Sequence, residues 1–289
     1  MPTRRSMIKT SAAGLVGLGL SAYMKPLLAA ENRRFKIGAC DWSIGKMADP
    51  TALEFAATLG LDGVQVSVVN SQDIIHLNDP AVMKNYRKTA KANHTKIGGL
   101  AIGRMNEIPY KSDPRTEEWV SASIDLAKML GVRAILLAFF SKGDLKGDKA
   151  GTAEVIRRLR KIAPKAEKAG VILGVESWLS AEEHVEILDA VASPNVQVYY
   201  DLANSEKMGY DIYEEIVWLG KNRICEFHFK ENDFLLGEGR IDFQRVRTVL
   251  DEIGYTGWVV IEGATPKGMT IKDAYTHNVA FVRELVGRS

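Results

Sequence analysis

Four side chains with metal-binding chemistry recur at long, similar intervals in the second half of the chain. They are Glu176, Asp201, His228 and Glu262, separated by 25, 27 and 34 residues. Each closes a short apolar run: Gly-Val-Glu176-Ser, Tyr-Tyr-Asp201, Glu-Phe-His228-Phe-Lys230 and Val-Ile-Glu262-Gly. A carboxylate at the end of a buried segment is costly unless a counter-charge compensates it. One divalent cation does this for three carboxylates together. Three oxygen donors and one imidazole suit Mn²⁺ or Mg²⁺ better than a thiolate-type structural Zn²⁺ site, with Co²⁺, Fe²⁺ and Zn²⁺ as further candidates. Taken singly, each residue has a plainer reading: a hydrogen-bonded core histidine, strand-end ion pairs for the glutamates, and a helix cap for Asp201. Their recurrence at consecutive strand ends predicts one divalent metal centre, with Mn²⁺ the foremost ion.

Such residues converge only if the elements beneath them form one closed frame. From Arg34 onward eight apolar, β-branched runs lie at 35–42, 63–68, 96–103, 134–140, 171–177, 196–201, 224–230 and 258–263. Segments of helical period separate them, at roughly 50–60, 80–93, 115–131, 151–169, 182–191, 211–221, 242–253 and 271–286. Eight strand-then-helix units predict an α/β fold, a single (β/α)8 TIM barrel over residues 31–289, which places the active site at the carboxyl ends of the strands. Gly in Leu-Gly-Val (130–132) and Ala-Gly-Val (169–171) stands where a helix should stop. Asp49-Pro50, Asp79-Pro80 and Asp113-Pro114 stand where helices should begin. An open doubly wound sheet uses the same units, but its G-x-G-x-x-G fingerprint is missing, as is a phosphate-binding P-loop.

Composition narrows the function classes. At 289 residues, 46% hydrophobic and 26% charged, the chain is an ordinary globular protein and not a collagenous, low-complexity or disulfide-stapled one. The near balance of 38 basic and 36 acidic residues supplies no broad footprint for nucleic acid. Cys40 and Cys225 read as two free thiols. Paired Arg4 and Arg5, an apolar Gly/Ala-rich run over 11–23 and Leu-Leu-Ala-Ala ending at Ala30 resemble a twin-arginine export signal, too short to span a bilayer well. Its removal takes away Arg4, Arg5, Lys9 and Lys25 and no acid, so 34 basic residues then face 36 acidic ones. The expectation is a periplasmic or otherwise exported protein, folded before export, with residues 1–30 removed and no stable membrane insertion afterwards.

With these motifs in place the chain resembles the sugar phosphate isomerase/epimerase family, whose fold is the xylose isomerase-like TIM barrel. The resemblance spans about residues 35–287. It rests on Leu-Gly-Leu-Asp-Gly-Val-Gln (59–65), Val-Glu176-Ser, Tyr-Asp201-Leu-Ala-Asn, His228-Phe-Lys230-Glu231, Gly237-Glu-Gly-Arg-Ile-Asp-Phe243 and Ile-Glu262-Gly, in that order. It implies that Glu176, Asp201, His228 and Glu262 hold the metal and that Glu176 and Glu262 also act as acid and base on opposite faces of the substrate. It further implies substrate contacts from Glu182 and Lys230. Gln65, Asn204 and Phe234 depart from a glutamate, a histidine and an arginine that relatives carry at these positions. With five histidines, the chain does not resemble the three-zinc DNA-repair endonucleases of the same fold.

The expected chemistry is proton transfer beside a carbonyl through an enediolate. It would make the protein an isomerase or epimerase of an unphosphorylated keto-sugar or polyol ketone. The alternatives are a lyase that eliminates the aglycone of a 3-keto-glycoside at the same metal site, and a non-catalytic carbohydrate-binding barrel. Trp178, two residues past Glu176, is the best candidate for an apolar wall against a sugar or glycoside, followed by Trp42, Phe139 and Phe140. Asn204 is a further substrate-binding candidate, and Asp41 and Arg104 lie near strand ends where they could meet hydroxyls. Assembly into a homo-oligomer is compatible with this reading.

Overall fold

Each apolar run forms a parallel strand, and each is followed by a helix. In the computed structural model, which describes residues 34–287, the order is β1 Phe35–Cys40, α1 Thr51–Thr58, β2 Gly63–Ser67, α2 Pro80–Ala92, β3 Lys96–Ile102, α3 Arg115–Leu130, β4 Ala134–Phe139, α4 Lys149–Ala169, β5 Ile172–Ser177, α5 Ala181–Val191, β6 Val196–Asp201, α6 Leu202–Lys207, α7 Ile212–Leu219, β7 Ile224–Phe229, α8 Phe243–Glu252, β8 Gly257–Ile261 and α9 Ile271–Gly287. The strands close into a barrel in chain order, with β1 hydrogen-bonded to both β2 and β8. The export signal expected over residues 1–30 lies outside the described residues. Among the described residues no helix is long and apolar enough to cross a membrane.

Local chemistry accounts for the boundaries. Gly131 and Gly170 end α3 and α4 in the left-handed conformation, at φ 68° and 69°. Asp49, Asp79 and Asp113 each accept the backbone N–H two residues on, at 2.8, 2.7 and 2.9 Å, so all three Asp-Pro pairs open helices. Ser180 and Glu183 form a capping box at the start of α5. The short helix α6 was not anticipated. Asp201 starts it by accepting the Asn204 N–H at 2.8 Å.

Most of the core lies between barrel and helices, where Ile37, Leu53, Val66, Tyr86, Leu173 and Phe227 are among the fully buried side chains. The barrel interior differs. Its apolar cluster is small, built on Ala101, Leu136, Ala138 and Tyr199. A Cβ at Gly174 would come within 2.7 Å of Cys225 Sγ and 3.1 Å of Tyr199 Cβ, so glycine leaves room there for the Tyr199 ring. The rest of the interior is occupied by buried polar side chains.

Candidate metal centre

The four residues come together at the carboxyl end of the barrel. Asp201 and His228 are register partners across β6 and β7, Glu176 is the penultimate residue of β5, and Glu262 follows β8 with its N–H bonded to the Phe229 carbonyl at 3.0 Å. One ligating atom from each lies within 4.8 Å of those of the others. His228 Nδ1 is 2.7 Å from Glu176 Oε1, 3.6 Å from Glu262 Oε2 and 3.8 Å from Asp201 Oδ2. The helix-cap and metal-centre readings of Asp201 both hold: Oδ1 caps α6, while Oδ2 is buried in the cluster with no hydrogen-bond partner. An orphaned buried carboxylate oxygen among two more carboxylates and an imidazole fits a divalent cation. The alternative triplet Cys40, His228 and Glu262 offers a thiol that burial pushes up to about 12, a poor ligand at neutral pH.

The protonation states follow from burial and charge. Burial pushes Asp201 up to about 7, against the pull of Lys230. Burial also acts to raise Glu262, but His228 and Lys230, with hydrogen bonds from Lys230 and Trp42, outweigh it and hold this carboxyl at about 2. Lys230 Nζ donates to Glu262 Oε2 at 2.8 Å and Trp42 Nε1 to Oε1 at 2.9 Å. Burial disfavours a charged imidazole at His228, yet its neighbours Cys40, Glu176 and Glu262 push it well above its ordinary value. The carboxylates are therefore compensated by an imidazolium and an ammonium, and a cation bound by His228 would take the place of its Nδ1 proton.

A polar chain runs beneath this cluster. His228 Nε2 is 2.9 Å from Gln65 Oε1, Gln65 Nε2 donates to the Tyr199 hydroxyl at 3.0 Å, and Tyr199 hydrogen-bonds to Glu226. All of these side chains are buried. Because Gln65 presents a carbonyl oxygen, Nε2 must carry the hydrogen, which leaves Nδ1 facing the carboxylates. Burial pushes Glu226 up to about 8, so it is a neutral acid at pH 7, and its Oε2 has no partner. Sequence reading singled out Gln65 as a departure and missed Tyr199 and Glu226. The available signal was strand alternation, since Tyr199 and Glu226 precede Asp201 and His228 by two residues.

Above the cluster opens a cavity of about 530 Å³. Glu176, Glu262, Lys230, Asn204 and Trp178 line it, as do Trp42, Phe140 and Arg104. Lys230 Nζ lies 3.5 Å from Asn204 Oδ1. The structure does not bring Glu182 here: it is exposed in the first turn of α5, where its carboxylate accepts from Ser180 Oγ at 2.9 Å. Nor does Asp41 line the cavity; it binds Ser67 N, Ser67 Oγ and Ala48 N and so fixes the turn after β1. Phe139 is fully buried and packs edge-on against Tyr110. Phe234 is exposed beside a separate depression on the loop after β7. Both cysteines are free, as expected.

A family model described as the xylose isomerase-like TIM barrel matches residues 53–285. Over 260 residues the chain is 25% identical to an Escherichia coli K12 protein provisionally named L-ribulose-5-phosphate 3-epimerase SgbU, covering 81% of this chain and 91% of that one. The solved D-psicose 3-epimerase of Clostridium cellulolyticum H10 with D-tagatose superposes with a TM-score of 0.74 at 19% identity, covering 87% and 99% of the two chains. The E. coli 3-keto-D-glucoside 4-epimerase YcjR superposes with a TM-score of 0.71 at 14% identity, covering 86% and 99%. At these identities the two structural likenesses establish the fold.

Proposed function

The chain belongs to the xylose isomerase-like TIM barrel family, and on that footing we propose that it is a divalent-metal-dependent sugar epimerase or isomerase acting on an unphosphorylated keto-sugar. The observation that carries this reading is the convergence of Glu176, Asp201, His228 and Glu262 at the base of a cavity large enough for a sugar. The names of its relatives support it: one is called for a phosphorylated pentulose, one for a free hexulose and one for a keto-glucoside.

Glu176, Asp201, His228 and Glu262 would hold the ion, for which we propose Mn²⁺. A bound divalent ion supplies Lewis-acid charge at a carbonyl, which makes the neighbouring C–H more acidic. The protein must then take a proton from one side of that carbon and return one. Glu176 and Glu262 rise from opposite flanks of the ligand set, with β6 and β7 between them, so they suit the acid and base roles. Trp42 and Lys230 fix both oxygens of Glu262 and keep it ionised. Asn204 and Lys230 line the cavity beside them as donors for substrate oxygens, and Trp178 supplies an apolar face.

Solvent exchange tests the reading. Mn²⁺-loaded protein in D₂O, offered free, glycosylated and phosphorylated keto-sugars, should place deuterium on the carbon beside the carbonyl, and a chelator should abolish this. A carbohydrate-binding barrel would exchange nothing.

We further propose export by the twin-arginine route, on the strength of Arg4, Arg5 and the apolar run that follows. Expressed in a host with that pathway, the protein should appear in the periplasm with its N-terminus beginning after Ala30 or close to it, and the Arg4→Lys/Arg5→Lys double variant should be retained inside. Retention of the parent chain at full length would contradict this.

A further inference from the structure

The cavity above the carboxylates is larger than one sugar ring needs. Its volume of about 530 Å³ equals that of roughly eighteen waters at ~30 Å³ each, whereas a hexose has about twelve non-hydrogen atoms. The surplus has a defined character. Phe140, after β4, and Trp178, after β5, meet edge to face with ring centroids 5.3 Å apart. Both rings are half-buried and line the cavity, alongside the apolar Leu136 and Ala138 of β4. Half-covered aromatic surface of this kind gains from a second ring laid against it.

Charge restricts what that second group can be. Arg104 and Lys230 are the arginine and lysine residues lining the cavity, and each is already paired with a carboxylate. Arg104 Nε and Nη2 lie 2.7 and 2.6 Å from Asp73 Oδ1. Lys230 Nζ is bonded to Glu262 at 2.8 Å and lies 3.5 Å from Asp201. A phosphate would have to share either cation with a carboxylate already paired to it while facing Glu107, Glu176 and Glu262 on the same cavity walls, an arrangement of like charges that disfavours it.

We infer that Phe140 and Trp178 form a subsite for a neutral, ring-bearing aglycone, so that the substrate is a keto-glycoside and not a free or phosphorylated ketose. The inference rests on the epimerase reading above. A glycosidic bond occupies the anomeric carbon, so the carbonyl must sit on a ring carbon. At C3 it is flanked by two carbons that each carry a hydrogen and a hydroxyl, either of which offers an acidified C–H to the carboxylates. The proton removed and the proton returned balance on one carbon, and no co-reactant is consumed.

The test compares three substrates with the Mn²⁺-loaded protein in D₂O: phenyl 3-keto-β-glucoside, free 3-ketoglucose and L-ribulose 5-phosphate. The phenyl glycoside should exchange with at least tenfold higher kcat/KM than the free keto-sugar, with the phosphate slowest. In Phe140→Ala and in Trp178→Ala the ratio of glycoside to free-sugar kcat/KM should fall about tenfold. A free or phosphorylated sugar as the best substrate, or a ratio unmoved in both variants, would overturn the subsite. If nothing exchanges, the epimerase reading fails on its own. Calorimetry with phenyl β-glucoside and methyl β-glucoside then decides the subsite: tighter binding of the phenyl compound, lost in Phe140→Ala, upholds it, and equal binding overturns it.

Discussion

The two halves of the barrel are built from the same repeating unit but end differently. Strand β6 finishes on Asp201, β5 and β7 carry Glu176 and His228 as their penultimate residues, and Glu262 follows β8, whereas β2, β3 and β4 finish on Ser67, Ile102 and Phe139. The β5–β8 half concentrates buried charge around one point, and the β2–β4 side supplies apolar wall. Buried carboxylates are tolerable only where they share a counter-charge, so grouping them lets one cation and one lysine compensate all three. The opposite half is thereby free to be shaped by packing, and it carries Leu136, Ala138 and Phe140 into the cavity.

Substitutions on the charged side should have the largest effects. Glu176→Gln and Glu262→Gln should each lower solvent exchange by about 10²–10⁴-fold, the usual worth of a positioned acid or base. Asn106→Ala, on the opposite wall, should cost less than tenfold. Equal losses on both sides would erase the distinction between the halves.

A second effect belongs to the packing behind β5. His184 on α5 bonds Ser177 Oγ through Nε2 and donates Nδ1–H to the Ser180 carbonyl, both at 2.9 Å, an arrangement that the neutral ring satisfies with Nε2 accepting from the hydroxyl. Burial lowers its pKa to about 4. The unfolded chain, with an ordinary histidine near 6.5, binds the extra proton first. Stability is therefore full above about pH 6.5 and is lost as pH falls toward 4, by up to about 3 kcal/mol. Urea unfolding of parent and His184→Gln should show this pH-dependent difference shrinking through that window. A constant difference would show that His184 does not titrate there.

A further effect concerns the polar chain beneath the candidate metal centre. Gln65→Leu removes the partner of His228 Nε2 and should weaken Mn²⁺ binding about 10–100-fold, the usual cost of losing such an orienting contact, with the fold retained by circular dichroism. Unchanged affinity would mean that the ring is held by packing against Tyr199, whose centroid lies 4.6 Å away.

How much of this was legible in the sequence depended on what each residue's position implies. The eight strands lie within two residues of the expected runs at each end, because apolar runs, glycine stops and Asp-Pro starts are local signals. The four ligand candidates were legible for the same reason: a polar residue ending an apolar run marks its height on the barrel. Height does not give direction. Glu182 and Asp41 lie at the right level, yet Glu182 faces solvent and Asp41 faces the loop after β1. The Gln65–Tyr199–Glu226 chain was hidden for a related reason. Alternation places Tyr199 and Glu226 on the faces of Asp201 and His228, but the register shifts at Val64/Gln65 and Val198/Tyr199, which help set what these side chains meet across the strands, leave no local signal.

The most direct measurement is a calorimetric titration of metal-stripped protein with Mn²⁺. One ion per chain should bind, with binding lost or strongly weakened in both Asp201→Asn and His228→Asn. Absence of binding by the parent protein, or binding undiminished in both variants, would contradict a metal centre at the ends of β5 to β8.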